Sequence, residues 1–183
     1  MRLSKKICIA LLLCSHSLSA IAAIDAALLK PLTGDDPDAR IEAVGKIAAL
    51  ANQDALKVLT SLKNDTAYAA LNGDFLIVEE GKAFYPLTDK TIDTPDGVDG
   101  ITINNRLRGA VDGALSGFKL LSSDRAVRLA AALELQKSAA LEQIPLIRIA
   151  LAKEQDAEIK STLQLVMATA NLQSPDAVVR KAA

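Results

Sequence analysis

Tryptophan is absent from this 183-residue chain, and only three Phe and two Tyr supply aromatic surface. Any core must therefore be aliphatic. Histidine occurs once, at His16, and cysteine twice, at Cys8 and Cys14, all within the first sixteen residues. Beyond that point no thiol or imidazole is available. A Cys nucleophile, a Ser-His-Asp triad, a zinc site with Cys or His ligands and a His-ligated haem are all excluded there. No Gly-rich phosphate loop and no basic cluster appear either, so the sequence offers no footprint for nucleic acid or anionic lipid.

The N-terminus has the pattern of an export signal. Arg2, Lys5 and Lys6 form a positive n-region, Ile7 to Leu13 an apolar stretch, and Ala20-Ile21-Ala22 a small-residue cleavage site. The apolar run is too short to span a bilayer, which takes about 20 residues. Bulky Leu13 before Cys14 argues against a lipoprotein anchor. Residues 1–22 are expected to be a signal peptide, and the mature chain from residue 23 to be exported to the periplasm, with no membrane span of its own. Losing Arg2, Lys5 and Lys6 from the 21 Lys and Arg leaves 18 cations against 22 acids, a net charge of −4.

What the chain has in quantity is Ala and Leu, both strong helix formers. One pattern recurs: Asp or Ser, an aliphatic-basic pair, then apolar residues at helical spacing. It appears at Asp36–Arg40, Ser123–Arg128, Asp156–Lys160 and Ser174–Arg180. The Asp and Ser side chains suit N-caps, and Pro37 and Pro175 suit a first helical position. Further helices are expected over 54–63 and 141–152, where Leu and Ile recur every three or four residues. Paired short helices of this kind resemble HEAT-like repeats. The expected fold is all-α, a HEAT-like helical-repeat solenoid over 23–183.

Residues 64–103 interrupt the pattern and hold four of the five aromatics: Tyr68, Phe75, Phe84 and Tyr85. Phe75–Val78 and Ala83–Leu87 read as a small β-hairpin about a turn at 79–82. A polar, turn-rich stretch follows to Gly100. Helix resumes near Asn104 or Asn105. Insertions of this kind often carry binding.

The segment Thr102-Ile103-Asn104-Asn105-Arg106-Leu107-Arg108, with Leu120 to Ala132 after it, is similar to the N-terminal extracytoplasmic region of the urea ABC transporter permease. That subunit belongs to the branched-chain amino acid permease group. The resemblance covers essentially the whole chain, but the membrane domain that follows in such permeases has no counterpart before Ala183. It implies an accessory, protein-contacting part of a urea or amide transporter, its partners being transporter subunits or the urea-binding protein. A free-standing periplasmic HEAT-repeat scaffold with another partner is the alternative.

No enzymatic activity and no cofactor are expected, and catalytic and metal-binding residues are assigned to none. Asp93, Asp96 and Asp99 fail the EF-hand spacing, because Pro95 and Gly97 fall at ligand positions. Glu79 and Glu80, adjacent on a strand, would point to opposite faces. The candidate partner-binding residues are Tyr68, Phe84, Tyr85, Asn104, Asn105, Arg106 and Arg108. The three aromatics form either an exposed contact patch or core packing. Arg106 and Arg108 suit a partner carboxylate, whereas Asn104 or Asn105 equally suits a helix cap. Gly109, Gly113 and Gly117 recur every four residues, a spacing for close helix approach.

Overall fold

The computed structural model describes residues 24–138 and 143–183. The expected signal peptide lies outside the described residues. The chain runs α1 (Ala26–Leu29), a 3-10 turn (Lys30–Thr33), α2 (Pro37–Ala49), α3 (Gln53–Lys63), then strands β1 (Ala67–Ala69), β2 (Phe75–Glu79), β3 (Lys82–Tyr85), β4 (Lys90–Asp93) and β5 (Asp99–Gly100). Next come α4 (Asn105–Phe118), a 3-10 turn (Lys119–Leu121), α5 (Arg125–Ser138), α6 (Ile144–Lys153), α7 (Ala157–Leu172) and α8 (Ala177–Ala182).

The all-α expectation is wrong. Residues 67–100 form a five-stranded antiparallel sheet of order β4-β3-β2-β1-β5, so the fold is mixed and not a helical solenoid with a small hairpin. The apolar strand pair at 75–78 and 83–87 is only the middle of that sheet. Strands β1, β4 and β5 are two to four residues long, and β4 is exposed throughout. Backbone pairing holds such strands in place, and pairing leaves no hydrophobic alternation to read.

The sheet is also not an appendage. Ala67, Phe75 and Ile77 project from one face into an apolar cluster shared with Leu32, Ile47, Leu59, Leu62, Leu107 and Val111. A second cluster joins Leu120, Leu135, Ile147, Ile159, Leu163 and Val166. Helix α6 serves both, Leu146 entering the first and Ile147 the second.

Local chemistry sets the helix starts. Asp36 Oδ1 accepts hydrogen bonds from the backbone N–H groups of Asp38 and Ala39 at 2.9 and 3.2 Å, with Pro37 opening α2. Asn52, Asn104 and Asp156 cap α3, α4 and α7 in the same way. Pro175, in contrast, precedes the Asp176 cap of α8 and does not open a helix. Between α2 and α3 the chain turns at Ala51, whose φ of 50° lies in the left-handed region.

The glycine series divides. A Cβ on Gly117 would stand 2.9 Å from Cδ1 of the buried Leu146, so α4 needs that glycine to approach α6, whereas one on Gly113 would press only on the end of the Gln143 side chain, 3.0 Å from Nε2. Gly109 faces open space.

Candidate functional site

Register decides which aromatics share a surface. Tyr68 pairs with Leu76 and with Gly100, and Ile77 pairs with Phe84. Continuing the β2–β3 register sets Leu76 opposite Tyr85, which pairs in turn with Lys90. One face of the sheet therefore carries the cross-strand row Gly100–Tyr68–Leu76–Tyr85–Lys90. The opposite face carries Ala67, Ile77 and Phe84 and lies against the helices.

The row has a definite build. Leu76 is fully buried yet belongs to neither apolar cluster, and the half-buried tyrosines stand on either side of it. Two strand spacings put the tyrosine backbones about 10 Å apart. Tyr68 lies over Gly100, its Cε1 3.7 Å from where a Cβ would be. In the next row Val78, Ala83 and Ile92 share this outer face, with Ile92 exposed. Leu76 and Ala83 are themselves covered, so the surface of this face is made by the two half-buried tyrosines, with Ile92 exposed beside them.

Phe84 is on the other face. Lys57 Nζ sits 5.3 Å from its ring centroid, and its flank packs on the main cluster. Of the three expected aromatics, the fold brings together Tyr68 and Tyr85 and sends Phe84 to the helical side.

The polar cluster at the start of α4 is engaged within the chain. Asn104 Oδ1 accepts from Leu107 N–H at 2.9 Å, which makes it the N-cap. Arg106 Nη2 donates to Asp38 Oδ1 at 2.9 Å, and Arg108 Nη2 stands 4.0 Å from Asp65 Oδ1. These pairs are solvent-exposed and contribute little to stability. They do tie α4 to α2 and to the turn before β1, as does the 2.9 Å bond from Arg40 Nη2 to the Thr102 carbonyl. Asn105 is exposed at the first turn.

A cleft of about 500 Å³ runs between α2, α4 and α5 past Gly45 and Gly109. Three of its polar side chains have partners: Arg106 takes Asp38, Asp112 takes Lys63 at 2.7 Å, and Gln143 Nε2 donates to the Gly113 carbonyl at 3.3 Å. Among the described residues no group of three His, Cys, Asp or Glu side chains converges as a metal site would require, and no helix is long and apolar enough to cross a membrane. Glu79 pairs in register with Lys82, while Glu80 lies in the turn.

Sequence reasoning missed the strongest electrostatic feature. Arg128 Nε and Nη2 donate to the two carboxylate oxygens of Glu154 at 2.8 and 3.2 Å, and the Glu154 side chain is only 3% exposed. The same carboxylate accepts from the N–H groups of Gln155 and Asp156 at 3.0 and 2.9 Å. The Arg128 hydrogen bond, aided by those N–H donors and by its charge, holds the Glu154 carboxyl below its ordinary value against the opposing effect of burial. Beside it Arg125 binds Asp156 and Glu158 at 2.7 Å each, which lowers Asp156 chiefly through the Arg125 hydrogen bond. The recurring Asp-x-x-x-basic spacing was the available signal for Arg128. Nothing local pointed to Glu154, 26 residues away.

No family model matches this chain, and neither the curated proteins nor the solved structures searched contain a match to it.

Proposed function

We propose that this chain is an exported, non-catalytic interaction module of a urea- or amide-type ABC transport system, and that it docks a protein partner through the outer face of its sheet. The observation that carries the docking reading is the pair of half-buried tyrosines, Tyr68 and Tyr85, held on either side of the covered Leu76 on the sheet face away from the helices. Tyr residues offer large contact area at small entropic cost, which suits a surface that must bind and release. Support for the transport assignment comes from the sequence similarity of residues 102–132 to the permease extension, and from the short export-type N-terminus. The lack of thiol and imidazole after residue 16 fits a binding role.

The partner of choice is the solute-binding protein that delivers substrate to the transporter's outer side. Titrating the purified chain into that protein by surface plasmon resonance is expected to give saturable binding, reduced about tenfold or more by Tyr68→Ala with Tyr85→Ala. Binding absent at high micromolar concentration overturns the docking reading. Binding that survives both substitutions moves it off the sheet.

A further inference from the structure

Two segments 52 residues apart fold into the same latch. They are Ser122-Ser123-Asp124-Arg125-Ala126-Val127-Arg128 and Ser174-Pro175-Asp176-Ala177-Val178-Val179-Arg180. In each, the Ser Oγ accepts from the Asp N–H at 3.1 Å. The Asp carboxylate then accepts from the N–H two residues on, at 2.7 Å in Ala126 and 2.8 Å in Val178. Arg128 Nη1 donates to the carbonyls of Ser122 and Ser123 at 3.0 and 3.1 Å, and Arg180 Nη1 to those of Ser174 and Pro175 at 2.7 and 2.8 Å.

The two latches differ in what faces them and in Arg125, which bonds Asp156 and Glu158 at the first and is Ala177 at the second. The free edge of Arg128, Nε and Nη2, grips the carboxylate of Glu154, the residue that ends α6. Leu120, two residues before Ser122, is 2% exposed in the cluster with Ile147 and Ile159. At the second latch Arg180 Nε and Nη2 have no acceptor among the described residues. Leu172, two residues before Ser174, is 58% exposed, and no residue of α8 is buried.

We propose that Leu172 and Arg180 form a docking surface for a helical hairpin of a partner protein, one that ends its first helix on a glutamate as α6 ends on Glu154. This goes beyond the function proposed above and does not rest on it. Arg180 is already oriented by two carbonyls, so a carboxylate meeting its open edge gains a two-point, charge-assisted bond at reduced entropic cost. Leu172 supplies the apolar contact that Leu120 makes in the occupied latch. A second copy of this chain is not the occupant, because its Glu154 is buried and already held by Arg128.

The test extends the full chain by repeating residues 132–172 after Ala183, which restores the 52-residue register and offers a second copy of the Glu154 hairpin to Arg180. Hydrogen exchange over residues 172–180 is expected to slow about tenfold or more on extension. The protection should vanish with Arg180→Met, or with Glu→Gln at the repeated glutamate. Arg180→Met in the unextended chain also removes the bonds to the Ser174 and Pro175 carbonyls, so it sets the baseline against which the substituted, extended chain is read. No added protection on extension, or protection that persists in both substituted forms, overturns the proposal. A dimer of the unextended chain that Arg180→Met dissolves would make a second copy the occupant and overturn it as well.

Discussion

The helical half from Leu120 to Leu172 and the sheet from Ala67 to Gly100 reach order by different routes. The helical half buries Leu120, Leu135, Ile147, Ile159, Leu163 and Val166 together and clamps its two hairpins with Arg128 and Glu154. The sheet buries Phe75, Leu76, Ile77 and Ala83, while β4 and β5 are exposed along their length and held by backbone pairing. Substitutions should therefore hurt most where burial is deep and least at the sheet's outer edge.

The largest effect is expected from Leu163→Ala, which empties a fully buried site in the second cluster and should cost about 3–4 kcal/mol of unfolding free energy. Urea denaturation measures it, and a loss under half that size would mean the helical half repacks freely. Glu154→Gln should follow, at about 2–3 kcal/mol, because the Arg128 guanidinium loses its counter-charge in a covered position. It should also change the pH response. A carboxyl held below its ordinary value of 4.5 contributes its full stability above that pH and loses it as pH falls through the lower folded-state value. The Glu154→Gln variant should therefore show a flatter acid limb, with a remaining slope from Asp156, which is lowered in the same sense.

In the sheet the expected changes shrink or reverse sign. Glu80 and Gly81 form the two-residue β2–β3 turn with φ of 51° and 77°, and only the second is a glycine. Glu80→Gly should stabilise the protein by about 0.5–1 kcal/mol, seen as a higher denaturation midpoint, because the left-handed conformation costs glycine nothing. Asp93→Asn breaks the 2.6 Å pair with Lys82, but Asp93 is 89% exposed, and the midpoint should not move. A clear drop would show that the β4 edge depends on charge as well as on pairing.

The same contrast explains what could be read from the sequence. Helix starts at Asp36, Asn104 and Asp156 were legible because a cap is a local event, a side chain reaching two or three residues ahead. Strands β2 and β3 were legible from Phe75–Val78 and Ala83–Tyr85. Strand β1 is Ala-Tyr-Ala and β5 is Asp-Gly, and their pairing with each other is a property of the assembled sheet alone. Missing them turned a five-stranded sheet into a hairpin and the fold into an all-helical one. At the candidate site the aromatics were visible, but the Leu76 partner and the separation of Phe84 from Tyr85 follow from register. The role of Asn104 as a cap was an open alternative that the 2.9 Å bond to Leu107 resolves.

Leu146 and Ile147, neighbours on α6, project into different cores. A helix that serves two interiors cannot leave one without disturbing the other, so the molecule should melt as one cooperative unit despite its two clusters. It also makes α6 the axle between halves: a force applied near Glu154 at its far end would be felt at Gly117 of α4, beside Leu146.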